Sequence, residues 1–387
     1  MHAKRHRFLA VDAIKGLAMV FVILQHSYLS VNMQIIPRVL DILIWNITSI
    51  AAVAFVAISG GIYSYFLYIH PHWKIAYRRY CIRAAFLILA AHPAINLMSY
   101  YFRVAGNDGL MSNFSFLSQL LLDFPITDTI AICMLLAAPL TVLMNSLHRA
   151  TMIATMLVLT ILVKVIWFPL DPHWLILKEA VFGNLSLPKI FWFPLIPWFA
   201  IFLTGSFAGQ VLSYLKQGTM SLPQLKQKMQ RSGLVLVSLG IVLTIGYKAF
   251  KLLFFHICSP DIFLAIYPGQ TTTLLPVYLG VLALIFSELI QRIDLSRNYG
   301  RFIWFMSVFG RTSLFTYVVQ FAVVESTPAL LGLKGTLGLA GFLILFIIGI
   351  FAMWILSFMY GRLRGWFQKK DYTKQLDFVA GLSRPTI

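Results

Sequence analysis

Long apolar blocks separated by short polar runs dominate the chain. A helix that crosses a bilayer needs about 20 mostly apolar residues. Ten blocks near that length can be drawn, at residues 10–31, 43–67, 80–102, 126–146, 150–168, 191–213, 232–255, 271–291, 303–325 and 336–360. Two regions break the rhythm. Residues 103–125 contain FLSQLLLDFP, which reads as a re-entrant segment, and 168–190 reads as a loop. No internal repeat, low-complexity linker or soluble domain is visible. The pattern predicts an all-α, polytopic membrane protein of about ten transmembrane helices, with a membrane domain over 1–362 and a basic tail over 363–387.

Composition agrees. Of 387 residues, 59% are hydrophobic and 11% charged, where soluble domains carry about 25% charged residues. The mean hydropathy is +0.82. A net charge of +18 would suggest nucleic acid in a soluble chain; here it reads as cations that hold loops on the cytoplasmic side. Lys4, Arg5 and Arg7, the cluster Lys74 to Arg83, Arg149, Lys216 to Arg231, Arg292 to Arg301 and the tail from Arg362 to Arg384 fall on one side. Arg38, Arg103, Lys178, Lys189, Lys248, Lys251 and Lys334 are the sparser set opposite. Both termini are thereby expected in the cytoplasm, in a cell membrane that is the inner one if the source is bacterial. The basic start MHAKRHRFLA precedes a long apolar run without an A-x-A-like cleavage site, so an uncleaved first helix is expected. The tail GRLRGWFQKKDYTKQ either lies on an anionic leaflet or is solvated. Cys81, Cys133 and Cys258 have neither disulfide nor metal-ligand spacing.

The first block, VDAIKGLAMVFVILQHS, carries a lysine near one end and a histidine near the other. Lys15 and His26 are eleven residues apart, which is three helical turns and roughly 20°, so both fall on one face about 16 Å apart along the axis. Asp12 is near the same face. A lysine at a helix end commonly snorkels and a lone histidine commonly packs against a neighbour, but ionisable groups at membrane depth otherwise line a path or site. The shared face favours the second.

Lys15-x10-His26, with an acidic residue before it and a small polar one after, resembles the first-helix signature of the acyltransferase-3 family. Phe55-Val56-Ala57-Ile58-Ser59-Gly60 is similar to that family's second-helix pattern, and YRRYCIR (Tyr77 to Arg83) stands where it carries arginines. FPLIPWFAIFLTGSFAG (Phe193 to Gly209) and FGRTSLFTYVVQF (Phe309 to Phe321) resemble the heparan-glucosaminide acetyltransferase branch of the same transmembrane acyltransferase superfamily. There are two departures. The heparan-type enzymes have asparagine where His26 stands and a histidine a little later, whereas no histidine lies between His26 and His70 here. Related sequences end the late motif in histidine, where this chain has Gln320.

The resemblance implies transfer of an acetyl or similar short acyl group from cytosolic acetyl-CoA, a co-substrate, to a hydroxyl or amine of an extracytoplasmic glycan or glycolipid, with glycan O-acetylation the leading expectation. No metal and no nucleic acid enter. His26 would be the general base or a transient acyl carrier, and the 16 Å from Lys15 is comparable to an extended pantetheine arm. Lys15, Arg78, Arg79, Arg83 and Arg311 would hold the CoA; the three arginines equally suit a topology-setting cluster, and Arg311 equally a lock between two helices. The orienting partner of His26 is first sought in Asp128, with Asp41 and Glu325 as alternatives on the same side. His92-Pro93 reads as a kink more than as a catalytic group. His70, His72 and Trp73 read as interfacial, and Asp171, His173 and Glu179 as loop residues that a sugar can meet. Asn113-Phe114-Ser115 and Asn184-Leu185-Ser186 are glycosylation sequons.

A secondary transporter or flippase would share the helices and the intramembrane polar groups. No pair of Gly/Pro-broken helices in matching halves, the usual pointer to an inverted repeat, is found.

Overall fold

The computed structural model describes residues 8–32, 36–70, 72–105, 124–166, 172–182, 193–254, 265–267, 270–271, 274–295 and 300–382. They form α1 (Leu9–Tyr28), α2 (Arg38–Ile69), α3 (Trp73–Phe86), α4 (His92–Ala105), α5 (Ile126–Leu143), α6 (Ser146–Ile166), α7 (Pro172–Phe182) and α8 (Leu195–Lys216). After them come α9 (Leu222–Phe254), α10 (Leu275–Leu289), α11 (Arg301–Arg311), α12 (Ser313–Gln320), α13 (Thr327–Leu330) and α14 (Leu339–Leu382). Between α9 and α10, Ala265–Tyr267 pairs antiparallel with Gln270–Thr271 in a small hairpin.

All ten apolar blocks fall on helices. Among the described residues seven helices are long and apolar enough to cross a membrane, and an eighth span exists if α11 and the stretch Ser313–Leu330 count together, although they meet at 75°. The fourth and fifth blocks give α5, of 18 residues, and α6, of 21. At 1.5 Å per residue these reach about 27 and about 32 Å, close to a hydrocarbon core of about 30 Å. The loop expected at 168–190 contains α7. The last span runs on without a break into 363–382, so the tail begins as helix. Most of 103–125, Cys258, Asp171 and both sequon asparagines lie outside the described residues, as do the side chains of Arg38, His173 and Glu179.

Close backbone contact holds the bundle, as membrane helices require when lipid is as apolar as their own side chains. A Cβ on Gly60 would strike the carbonyl of Phe202, one on Gly205 that of Ala57, and one on Gly209 that of Gly61. Gly205-x3-Gly209 on α8 thus packs directly onto α2. The same device joins α1 to α11, where a side chain at Gly16 would meet the Met306 carbonyl and one at Gly310 that of Asp12.

The bundle has two distinguishable ends. α1 and α2 are antiparallel, and Phe8 meets Tyr65 ring to ring at 5.6 Å. The ends of α2 and α5 and the starts of α1, α3 and α6 therefore share one end. At the other, Val31 bridges Leu337, and the Asn32 N–H donates to the Leu337 carbonyl at 2.9 Å. α14 starts there and returns toward the first end.

Among the described residues, π-helical segments lie at Leu87–Ala91, Ile290–Leu295 and Phe321–Ser326. Two end two residues before a proline, Pro93 and Pro328. Proline offers no N–H to the carbonyl four residues back and its ring crowds that carbonyl; a wider π turn relieves both constraints. At His92-Pro93, where a kink is expected, the chain leaves such a segment and enters α4.

Candidate functional site

His26 is in the last turn of α1, and its Nδ1–H donates to a carboxylate oxygen of Glu325. Glu325 belongs to the π segment Phe321–Ser326 and is buried at 4% exposure. The Phe321 ring stands edge-on to the imidazole, centroids 5.1 Å apart, and Ser326 Oγ donates to the Met98 carbonyl, tying the segment to α4. With Nδ1–H committed to a carboxylate, the opposite nitrogen Nε2 carries the lone pair. That is the arrangement a general base or an acyl-accepting imidazole needs.

Asp128 has a different partner from the one first sought. From the first turn of α5 its Oδ2 accepts from His92 Nδ1–H at 2.5 Å, and Asn96, one turn along α4, donates to His92 Nε2 at 3.2 Å. The pairing between distant helices is set by packing, which joins α4 to α5 here and α1 to the π segment there. Asp128 Oδ1 is buried without a hydrogen-bond partner. Because α4 also packs on the π segment, the two histidine–carboxylate pairs share the His26 end of the bundle. Asp41 accepts from the Tyr28 hydroxyl at 3.1 Å and anchors the end of α1.

At the opposite end, Lys15 is half-buried on the His26 face of α1. Arg311 Nε lies 3.9 Å from buried Asp12 Oδ2, where Gly310 lets α11 touch α1. This contact locks the two helices while leaving the guanidinium half exposed. Arg78, Arg79 and Arg83 are exposed on α3, whose packed face is Ala76, Tyr80 and Ala84; Arg83 lies 5.1 Å over the Tyr80 ring. The three arginines line this end of the bundle rather than its interior.

Three polar groups stand out that sequence reasoning had placed elsewhere or passed over. Arg149, taken for a loop cation, is fully buried. Gln320, on the helix leading to Glu325, is fully buried with neither amide atom bonded. Asn96 completes the His92 pair. Asn96 alone had a usable signal, its i,i+4 spacing from His92. No group of three or more His, Cys, Asp or Glu suited to a metal occurs among the described residues.

Geometry of this kind defines a multi-pass helical membrane protein with a histidine–carboxylate pair inside one end of its bundle and cations around the other. The sequence model of the heparan-alpha-glucosaminide N-acetyltransferase catalytic family matches residues 7–245, more than half of the chain. The protein belongs to that family of membrane acetyltransferases. No curated protein matches it. The matched stretch contains Lys15, His26, Asp128 and Arg149; Arg311, Gln320 and Glu325 lie beyond it.

Proposed function

We propose that the protein moves an acetyl group from acetyl-CoA, bound at the Lys15 end, to a hydroxyl or amine of a glycan or glycolipid bound at the His26 end. The observation that carries this reading is the hydrogen bond from His26 Nδ1–H to Glu325. It leaves Nε2 basic, and Glu325 stabilises the imidazolium formed when Nε2 takes a proton. In direct transfer, the acceptor oxygen or nitrogen attacks the thioester carbonyl while Nε2 removes its proton. The carbon–sulfur bond then breaks, and the CoA thiolate leaves with that proton. In the stepwise variant Nε2 itself takes the acetyl group, releases CoA, and passes the group to the acceptor.

Lys15 and Arg311 face the donor's nucleotide in this reading, and the exposed Arg78, Arg79 and Arg83 raise its local concentration. The stretch of about 16 Å from Lys15 to His26 spans the pantetheine arm. Asp128, oriented by His92, offers its unbonded Oδ1 to an acceptor hydroxyl or ammonium. The cation-rich end faces the cytosol and the acceptor comes from the other side, as the distribution of basic loops supports.

The test is CoA release by purified protein in liposomes supplied with acetyl-CoA and amino-sugar or polysaccharide acceptors, wild type beside His26→Ala. Release that disappears in the variant supports the reading. A wild-type protein that neither binds nor consumes acetyl-CoA rejects it and returns a transporter to the front.

A further inference from the structure

Arg149 sits in the first turn of α6 with no solvent exposure, and a guanidinium keeps its charge at any ordinary pH. Its Nη2 donates to Gln210 Oε1 and its Nη1 to Ser206 Oγ at 3.4 Å, both on α8. The Tyr68 hydroxyl lies beside it from α2, and the Phe207 ring is 4.7 Å from Cζ. Nε has no partner. Every one of these groups is neutral. Three other cations at this end meet carboxylates. Arg292 Nε is 2.6 Å from Glu288, Lys226 Nζ is 3.7 Å from the same side chain, and Arg311 faces Asp12. Arg149, the most deeply buried of them, meets none among the described residues. A buried charge without a counter-charge is costly, and arginine is rarely wholly buried unless paired.

We infer that Arg149 is the floor of a phosphate-binding site enclosed by α2, α6 and α8. The Gln210 carbonyl holds the place of an anionic oxygen. Gln210 is only partly buried, and its Nε2 donates at 2.8 Å to the Tyr214 hydroxyl, which reaches the surface. One side-chain rotation therefore separates the guanidinium from the exterior. A phosphate that displaces Gln210 Oε1 meets a planar fork suited to two parallel N–H···O bonds, beside the Tyr214 hydroxyl that now accepts from Gln210. The site is at the Lys15 end, because Tyr68 closes α2 three residues beyond Tyr65, which touches Phe8. Two sources can supply the phosphate, the nucleotide of the acyl donor or a phospholipid headgroup. The first rests on the acetyltransferase reading; the second does not.

The experiment compares wild type, Arg149→Met and Gln210→Leu in delipidated detergent. Probes are CoA and phosphatidylglycerol by thermal shift, and acetyl-CoA and acetyl-pantetheine by turnover. For the nucleotide source, CoA raises the melting temperature of wild type but not of Arg149→Met. The KM for acetyl-CoA then rises about 10- to 100-fold in Arg149→Met, the worth of a hydrogen-bonded charge. Acetyl-pantetheine, which has no nucleotide, is used equally by both. For the lipid source, phosphatidylglycerol stabilises wild type selectively and KM is unchanged. Gln210→Leu keeps the guanidinium and removes its surrogate oxygen, so it binds the phosphate ligand more tightly than wild type and covers the case in which Arg149→Met does not fold. Equal responses of wild type and both variants to CoA and to lipid overturn the site, whether or not acetyl-CoA is turned over. Absent turnover with Arg149-dependent binding leaves the site standing and rejects the acetyltransferase reading alone.

Discussion

Glu325→Gln tests the electrostatics of the His26 pair most directly. The change keeps an oxygen able to accept from His26 Nδ1–H and removes only the negative charge. Two unit charges about 4 Å apart at an effective dielectric of about 20 attract by about 4 kcal/mol. In the proposed mechanism the imidazolium exists only once the proton has moved, so this attraction acts on the transition state and not on bound substrate. At 1.36 kcal/mol per decade, complete loss would slow turnover about 1,000-fold. The retained hydrogen bond returns part of that, so kcat is expected to fall about 100- to 1,000-fold with the KM for acetyl-CoA little changed. Glu325→Leu also frees the imidazole tautomer and should fall further. The assay is steady-state CoA release in proteoliposomes, normalised to folded protein by size-exclusion profile and melting temperature. A kcat for Glu325→Gln within threefold of wild type, in a protein that melts normally, would refute the claim that Glu325 stabilises a charged His26.

Two further outcomes concern stability. Gly205→Ala drives a methyl group into the Ala57 carbonyl and should lower stability by about 1–3 kcal/mol, read as a lower melting temperature. Gly246→Ala meets nothing within 4 Å and should be neutral or slightly stabilising; equal loss in both would show that the α2–α8 contact is not tight. Gln320→Leu removes a buried amide with two unbonded atoms and should raise stability by about 1–3 kcal/mol; a lower melting temperature would show that the amide is bonded in the working protein.

What could be read from the sequence follows from the range of the interactions involved. The apolar blocks are local, and each fell on a helix. The shared face of Lys15 and His26 is also local, because helical periodicity alone decides it, and an irregular turn near His92-Pro93 needs only the proline. The partner of His26 is not local. Asp128, Asp41 and Glu325 were all reasonable on depth alone, and the choice turns on how helices separated by hundreds of residues rotate against each other. Arg149 shows the converse difficulty. Its place in a basic stretch before an apolar block reads as topology, and only the packing of Ser206, Phe207 and Gln210 around it shows it to be interior. Hydropathy likewise does not register that α11 and the stretch Ser313–Leu330 meet at 75°.

The prolines connect this distant geometry back to the sequence. Replacing an α turn by a π turn accommodates one extra residue, and one residue is worth about 100° of helical rotation. If 321–326 continued the α-helical register of α12, Glu325 would face about 100° away from its present direction and would not meet His26. Pro328 removes the N–H that the Val324 carbonyl would need for that register, so the π turn is the conformation the local sequence permits. Pro93 acts in the same way on Leu89, immediately before His92 begins its helix toward Asp128. Both histidine–carboxylate pairs at this end of the bundle thus depend on a widened turn beside a proline. The π turn positions the carboxylate in one pair and the histidine in the other. The amide of Gln320, the residue just before the π turn Phe321–Ser326, is buried with neither atom bonded.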